Sequence, residues 1–406
     1  MTESPRKQPA ILALAGLLYF SEGLPYGFIN ELLPLYMRAE GMSLASIGLL
    51  STISLAWTVK LFWAPLVDRI GQFRFWIWTS LAVLALCLTL LSFVPPSWSW
   101  PFFILVALIA IASATQDVAV DGYTITATSP ELLGRINSIR VTTYRGAIIL
   151  AGGGLAALAT ASSWRIAILV AAATSLGILL LTMSLPRISR SASVRAGSME
   201  TFRRWMARPR FLSLLLLVLL YRLGDSALAP MIKPYWIDRG YSPAEVGTVT
   251  TVVGISFTIL GALLGGMIID RLGLLRALLM FGIAQALSNV GYAMVASLDL
   301  HRAGIYTAAV VESFTGGLGI SAFLAFLMSM CDRKNPATEY ALLSALFGVS
   351  RSAAGTLSGF ATERIGYAPF FWITFLLGLP ALFLILRIRS PFWIDAPATD
   401  PMANGA

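Results

Sequence analysis

Apolar runs of about 20 residues, the length that carries a helix across the hydrocarbon core of a bilayer, recur along the whole of this 406-residue chain. Only 12% of the residues are charged and 57% are hydrophobic, against roughly a quarter charged in a soluble domain. The short alternating segments that build an outer-membrane barrel are missing. The pattern expects an all-α polytopic membrane protein with twelve spans, at 11–36, 44–66, 75–94, 101–128, 135–158, 163–186, 210–236, 244–268, 275–297, 302–330, 337–360 and 366–388. Arg6 and Lys7 before the first run mimic a signal peptide, but no small-residue cleavage site follows, so this run reads as an uncleaved span.

The net charge of +9 does not point to nucleic acid, because the positive charge lies between the spans. With the N-terminus placed in the cytoplasm, eighteen of the 29 Lys and Arg fall in cytoplasmic segments and five in outer loops. That asymmetry expects both termini inside. Seven of the eighteen lie in RISRSASVRAGSMETFRRWMARPR, residues 187–210. This segment reads as a basic cytoplasmic linker between six-helix halves at 1–186 and 211–406, resting partly on anionic headgroups.

The halves repeat. GMSLASIG (41–48) and GYSPAEVG (240–247) share G-x-S-x-A-x-[IV]-G, and DRIG (68–71) matches DRLG (270–273). Each pair holds the same place, before and just after the second helix of its half. Two six-helix halves related by a parallel repeat are a transporter plan, with solute bound between them near the midplane.

An ionisable side chain inside a span costs about 2.5–3.5 kcal/mol on insertion scales and asks for a reason. Those expected inside spans are Glu22, Lys60, Asp117, Asp121, Arg140, Arg145, Arg222, Asp225, Lys233, Glu312 and Arg351. Helices 1, 4, 7 and 10 carry Glu22, Asp117 with Asp121, Arg222 with Asp225, and Glu312, whereas helices 3, 6, 9 and 12 have uncharged cores. Asp117 and Asp121 are i,i+4 and share a face, so one needs a proton or a cation, and Arg140 and Arg145 are the candidates. Either aspartate can be the proton carrier. Either alternatively serves as a structural latch for the loop arginine Arg69, Asp121 more readily because it lies toward the cytoplasmic end of helix 4. Arg222 and Asp225, at i,i+3, either neutralise each other or contact solute. Glu22 and Glu312 have no same-helix cation nearby and suit proton loading or solute contact, with hydrogen-bonded packing as the alternative. Arg351, in a helix rich in Gly, Ser and Ala, either pairs with Glu312 or binds an anionic group.

Other chemistries find little support. Cys87 and Cys331 are far apart and suggest neither a disulfide nor a metal site. The single histidine, His301, lies in a short loop, so no cofactor or metal centre is expected. No lysine follows a glycine, which excludes a P-loop. The carboxylates sit deep in spans with no catalytic cluster beside them, so the chain reads as no enzyme.

The Asp-Arg-x-Gly segments, Asp68–Arg69 and Asp270–Arg271, resemble the gating loop motif of the major facilitator superfamily, although APLVDRIGQFR lacks the leading glycine and has Gln72 and Phe73 where basic residues are common. YRLGDSALAPMIKPYWIDRGYSPAEVG (221–247), RALLMFGIAQALSNVGY (276–292), VVESFTGGLGISAFLAFLMSMC (310–331), ATEYALLSALFGVSRSAAG (337–355), YFSEGLPYG (19–27), KLFWAPLVDR (60–69) and ATQDVAVDGY (114–123) resemble, in order, segments of the AmpG-type muropeptide permeases, in the peptide–acetyl-CoA–drug transporter family. The resemblance covers nearly all of 15–385. It implies the major facilitator fold, with twelve transmembrane helices in two six-helix halves. It implies a monomeric, proton-coupled inner-membrane symporter that imports GlcNAc–anhydroMurNAc, with or without stem peptide, for cell-wall recycling. Related permeases carry siderophores or acetyl-CoA, which are the alternative solutes. The site residues it implies are Gln116, Asp117, Asp121, Tyr221, Arg222, Asp225, Asn289, Glu312 and Arg351; Glu22 stands where a small polar residue is expected.

Overall fold

The computed structural model describes residues 8–70, 72–96, 100–127, 133–183, 185, 211–330 and 336–387. They form twelve helical spans and no strand. Span 1 is Gln8–Gly27, a wide π-type turn at Phe28–Leu32, and Leu33–Ala39. Span 2 runs from Leu44 to Arg69 in pieces. Spans 3 and 4 are Phe73–Leu91 and Trp100–Ala127. Span 5 is Leu133–Ile149 continued through a π-type turn to Ala161, and span 6 is Trp164–Thr182. In the second half the spans are Phe211–Asp238, Pro243–Leu272, Leu274–Ser297, Arg302–Ser329, Pro336–Ile365 and Tyr367–Arg387. Nine of the twelve are each long and apolar enough to cross a membrane, judged on the described residues.

Span 2, expected as one helix, is interrupted. Its first piece, Leu44–Ile53, ends in a turn; Ala56–Val59 passes into a single tight turn at Lys60–Phe62, and a new helix starts at Ala64–Arg69. Pro65 falls in the first turn of that last piece, where a missing N–H costs nothing, whereas a continuous helix would lose a hydrogen bond there. Span 7 also breaks, between Phe211–Leu220 and Leu223–Asp238, with Tyr221 and Arg222 in the turn.

The sequence repeat has a local cause. Gly41 and Gly240 adopt φ of 79° and 81°, open to glycine at little cost. Each closes the helix before it: Met42 N–H reaches Met37 O at 2.9 Å and Tyr241 N–H reaches Trp236 O at 3.2 Å. The serine two residues on caps the next helix, Ser43 Oγ accepting from Ser46 N–H at 3.2 Å and Ser242 Oγ from Glu245 N–H at 3.2 Å. The final glycine permits close helix approach. A Cβ on Gly48 would stand 2.9 Å from the Thr356 carbonyl oxygen, and one on Gly247 would stand 3.0 Å from Ala156 Cβ.

The chain divides into two compact units. One comprises Met1–Ser193 with Ala227–Ser256 and Ser352–Phe370; the other comprises Val194–Ser226, Phe257–Arg351 and Phe371–Ala406. The first has a core around Tyr19, Phe73, Leu81, Val120 and Tyr123, and the second around Leu217, Phe281, Phe323 and Phe326. Spans 3, 6, 9 and 12 each leave large apolar side chains exposed, among them Leu86, Leu180, Leu287 and Phe383. Such rows suit lipid, where apolar exposure carries no cost. The expected linker at 187–210 lies outside the described residues.

Candidate functional site

In the first unit, charged side chains of spans 1, 2, 4 and 5 converge. Asp117 and Asp121 lie one turn apart on span 4 and each takes a cation from a different neighbour. Lys60 Nζ pairs with Asp117. Arg140 Nη1 pairs with Asp121 Oδ1 at 2.8 Å, and its Nη2 donates to Oδ2 at 3.2 Å. Tyr19 OH donates to Asp121 Oδ1 at 3.3 Å, and the Arg140 guanidinium lies over the Tyr19 ring, 4.9 Å from its centroid. Arg140 is thus the cation expected for this aspartate pair; Arg145 is half-buried and makes no ion pair among the described residues. Lys60 takes the place foreseen for Arg145. Asp121 is engaged by Arg140, while the side chains of Asp68 and Arg69 lie outside the description.

Glu22 completes the group. It is 2% exposed, and neither carboxylate oxygen has a hydrogen-bond partner among the described residues. It stands within the electrostatic reach of Asp121, Arg140 and Lys60. Gln116, fully buried beside Asp117 in sequence, donates from Nε2 to Ser21 Oγ at 2.6 Å and so ties span 4 to span 1 next to Glu22.

In the second unit the break in span 7 sets Arg222 at the start of a fresh helix, where it pairs with Asp225 one turn on. Half-helices of this kind free backbone and side chains for binding inside a bundle. Gln285 of span 9 donates from Nε2 to Asp225 Oδ1 at 2.5 Å, and Arg222 Nη1 reaches Gly316 O at 3.5 Å. Glu312, one turn before Gly316 on span 10, accepts from Ser313 Oγ at 3.4 Å and feels the charges of both Asp225 and Arg222. Tyr221 and Asn289 hold this frame: Tyr221 OH donates to Leu278 O at 2.8 Å with its ring stacked on Phe323, and Asn289 Nδ2 donates to Thr374 O at 3.4 Å beside Gly224. Arg351 is half-buried on span 11, next to Ser350, whose hydroxyl donates to Leu219 O at 2.6 Å. Asp270 and Arg271 are exposed at the end of span 8.

A third polar set joins spans 1, 2, 7, 8, 11 and 12 within the first unit. Arg38 clasps both carboxylate oxygens of Asp238 at 2.5 Å, and Tyr367 OH donates to the same carboxylate at 2.7 Å. Deeper, Lys233 pairs with Glu31, which also accepts from Thr251 Oγ1 at 2.8 Å. Glu363 Oε2 accepts from Ala45 N–H at 3.0 Å, at the start of span 2. Glu31 and Gln285 join these sites without a counterpart in the sequence reading, and Lys60 and Lys233, expected there only as charges inside spans, gain partners. A charge or amide inside an apolar run is the signal that could have found them, and Glu31 is such a charge within the first run.

Opposed charges and half-helices inside lipid-length helices define a membrane carrier. The profile of the Major Facilitator Superfamily matches residues 15–221 and 214–402. The anhydromuropeptide permease of Escherichia coli K12 is 32% identical over 400 residues, spanning 96% of this chain and 80% of that protein. A bacterial homologue of the human lysosomal transporter Spinster superposes with a TM-score of 0.77 at 14% identity, covering 95% of this chain and 97% of that one. The nucleoside transporter NupG does so with a TM-score of 0.73 at 15% identity, covering 93% and 98%. The chain belongs to the major facilitator superfamily, in the family of the anhydromuropeptide permease. It is therefore a multi-pass secondary transporter of a small-molecule solute and no enzyme.

Proposed function

We propose that the protein imports anhydromuropeptides through the bacterial inner membrane, driven by the proton gradient. The 32% identity with the Escherichia coli permease, over 96% of this chain and 80% of that protein, is the observation that supports this substrate. The split of Lys and Arg between loops supports a cytoplasmic site for both termini, and in this reading the Arg38–Asp238 end faces outward.

Proton coupling is supported by which buried carboxylates in each unit lack an ion pair among the described residues. In the first, Lys60 and Arg140 match Asp117 and Asp121, and Glu22 is left over. In the second, Arg222 matches Asp225, and Glu312 is left over. A buried charge without a counter-charge costs several kcal/mol, and a proton removes that cost when no protein cation does. Glu22 and Glu312 are the proton carriers in this reading. Arg145 and Arg351 take carboxylates of the solute, and the ion pairs at Asp117, Asp121 and Asp225 preset the surrounding field.

Uptake of labelled GlcNAc–anhydroMurNAc-tripeptide into proteoliposomes tests the assignment. Accumulation is expected only with an inward proton gradient. Absence of uptake by folded protein, with siderophore or acetyl-CoA uptake in its place, would overturn the muropeptide reading.

A further inference from the structure

Above the charged group of the first unit lies a layer of aromatic rings. Tyr26 stands one turn from Glu22 on span 1, Trp57 one turn from Lys60 on span 2, and Tyr144 one turn from Arg140 on span 5. Spans 1 and 5 run in one direction and span 2 in the other. Tyr26 and Tyr144 follow their charges in sequence, whereas Trp57 precedes its own. All three rings therefore lie on the same side of the charges, the side away from Gln8.

The rings also meet. Tyr26 and Trp57 pack edge to face with centroids 5.1 Å apart, and Tyr26 and Tyr144 lie 5.9 Å apart at 44°. One turn higher, Ser54 Oγ donates to Asn30 Oδ1 at 2.9 Å, and Asn30 Nδ2 donates to Tyr26 O at 3.0 Å. The layers run polar, aromatic, charged. This cluster is not sealed as a core is: Trp236, Tyr292 and Phe102 are fully buried, while Tyr26, Trp57 and Tyr144 all keep exposed surface. The indole N–H of Trp57 makes no protein hydrogen bond among the described residues. Arg145, which makes no ion pair among the described residues, follows Tyr144 directly.

We infer that Tyr26, Trp57 and Tyr144 form a subsite for a pyranose ring of the solute, an inference that rests on the muropeptide reading. A pyranose has two apolar C–H faces and a polar rim. An aromatic ring covers such a face, and polar groups on either side serve the rim. The edge-on and tilted rings leave no parallel slot, so a planar base is the poorer fit. Their place on the helix faces that carry Glu22, Lys60 and Arg140 argues against lipid as the occupant.

The test measures equilibrium binding of labelled GlcNAc–anhydroMurNAc, with and without the tripeptide, to the purified full chain. Trp57→Ala is expected to weaken binding of both compounds by about tenfold, the upper end for one ring contact, and Trp57→Phe by less. Trp372→Ala removes an exposed ring of span 12 whose N–H donates to Ser297, and is expected to change neither. Each variant is checked for a monodisperse elution profile, and the Phe variant guards against a folding defect in the Ala variant. Wild-type affinity for the peptide-free sugar in folded Trp57→Ala would overturn the subsite. So would wild-type protein that binds the tripeptide compound but no peptide-free sugar, with the import reading left standing. Wild-type protein that binds neither compound would overturn both.

Discussion

Removing the Lys233 ammonium leaves Glu31 as a charge without a counter-charge inside the bundle. Breaking a buried pair from one side costs about 3–5 kcal/mol. Here the side chains of Lys233 and Glu31 are 10% and 25% exposed, and Glu31 keeps its 2.8 Å hydrogen bond from Thr251. Water and that bond recover part of the loss, so Lys233→Met is expected to cost about 2 kcal/mol. Glu31→Gln leaves the cation instead, still near the Glu31 carbonyl oxygen at 3.0 Å, and is expected to cost about 1.5 kcal/mol. The double variant removes both charges and should lose less than the sum, with a coupling energy of about 1.5–2 kcal/mol. Denaturant titration of all four proteins in mixed micelles reads the cycle. Additive losses, within about 0.5 kcal/mol, would refute the claim that the two charges stabilise one another.

Glu22→Gln and Glu312→Gln each should abolish gradient-driven accumulation while leaving solute exchange intact, because the left-over carboxyl is gone and the ion pairs remain; counterflow against net uptake in proteoliposomes separates the two. Arg38→Lys should lose the two-pronged clasp on Asp238 and cost about 0.5–1 kcal/mol, less in high salt, since both side chains are about a quarter exposed. Thermal unfolding at low and high salt checks this. Gly48→Ala should destabilise by about 1–3 kcal/mol, as its Cβ meets backbone of span 11, whereas Gly177→Ala, with open space around it, should be neutral or slightly stabilising. The same titration compares them.

The helices and their order were legible because lipid imposes length and hydropathy on every span. The G-x-S-x-A-x-[IV]-G repeat was legible as well, and its glycines and serines prove to be helix stops, caps and close-approach points. Arg222 with Asp225 could be foreseen, since i,i+3 on one helix fixes the contact. The pairing of Asp117 could not. Its partner, Lys60, sits in a tight turn of a broken helix, where the 3.6-residue period no longer gives the face. Glu31 with Lys233 was hidden for a related reason. The partners lie 202 residues apart, and the carboxylate sits in a π-type turn that shifts the register of its helix. The uncharged cores of spans 3, 6, 9 and 12 follow from composition; which side chains meet in the remaining spans depends on packing that periodicity does not encode.

Proton movement on adding solute tests the central claim most directly. Proteoliposomes carrying an internal pH dye, given GlcNAc–anhydroMurNAc-tripeptide outside and no imposed gradient, should acidify inside with the wild-type protein and fail to do so with Glu22→Gln or Glu312→Gln. Solute entry without acidification, or equal acidification by both variants, would contradict the account.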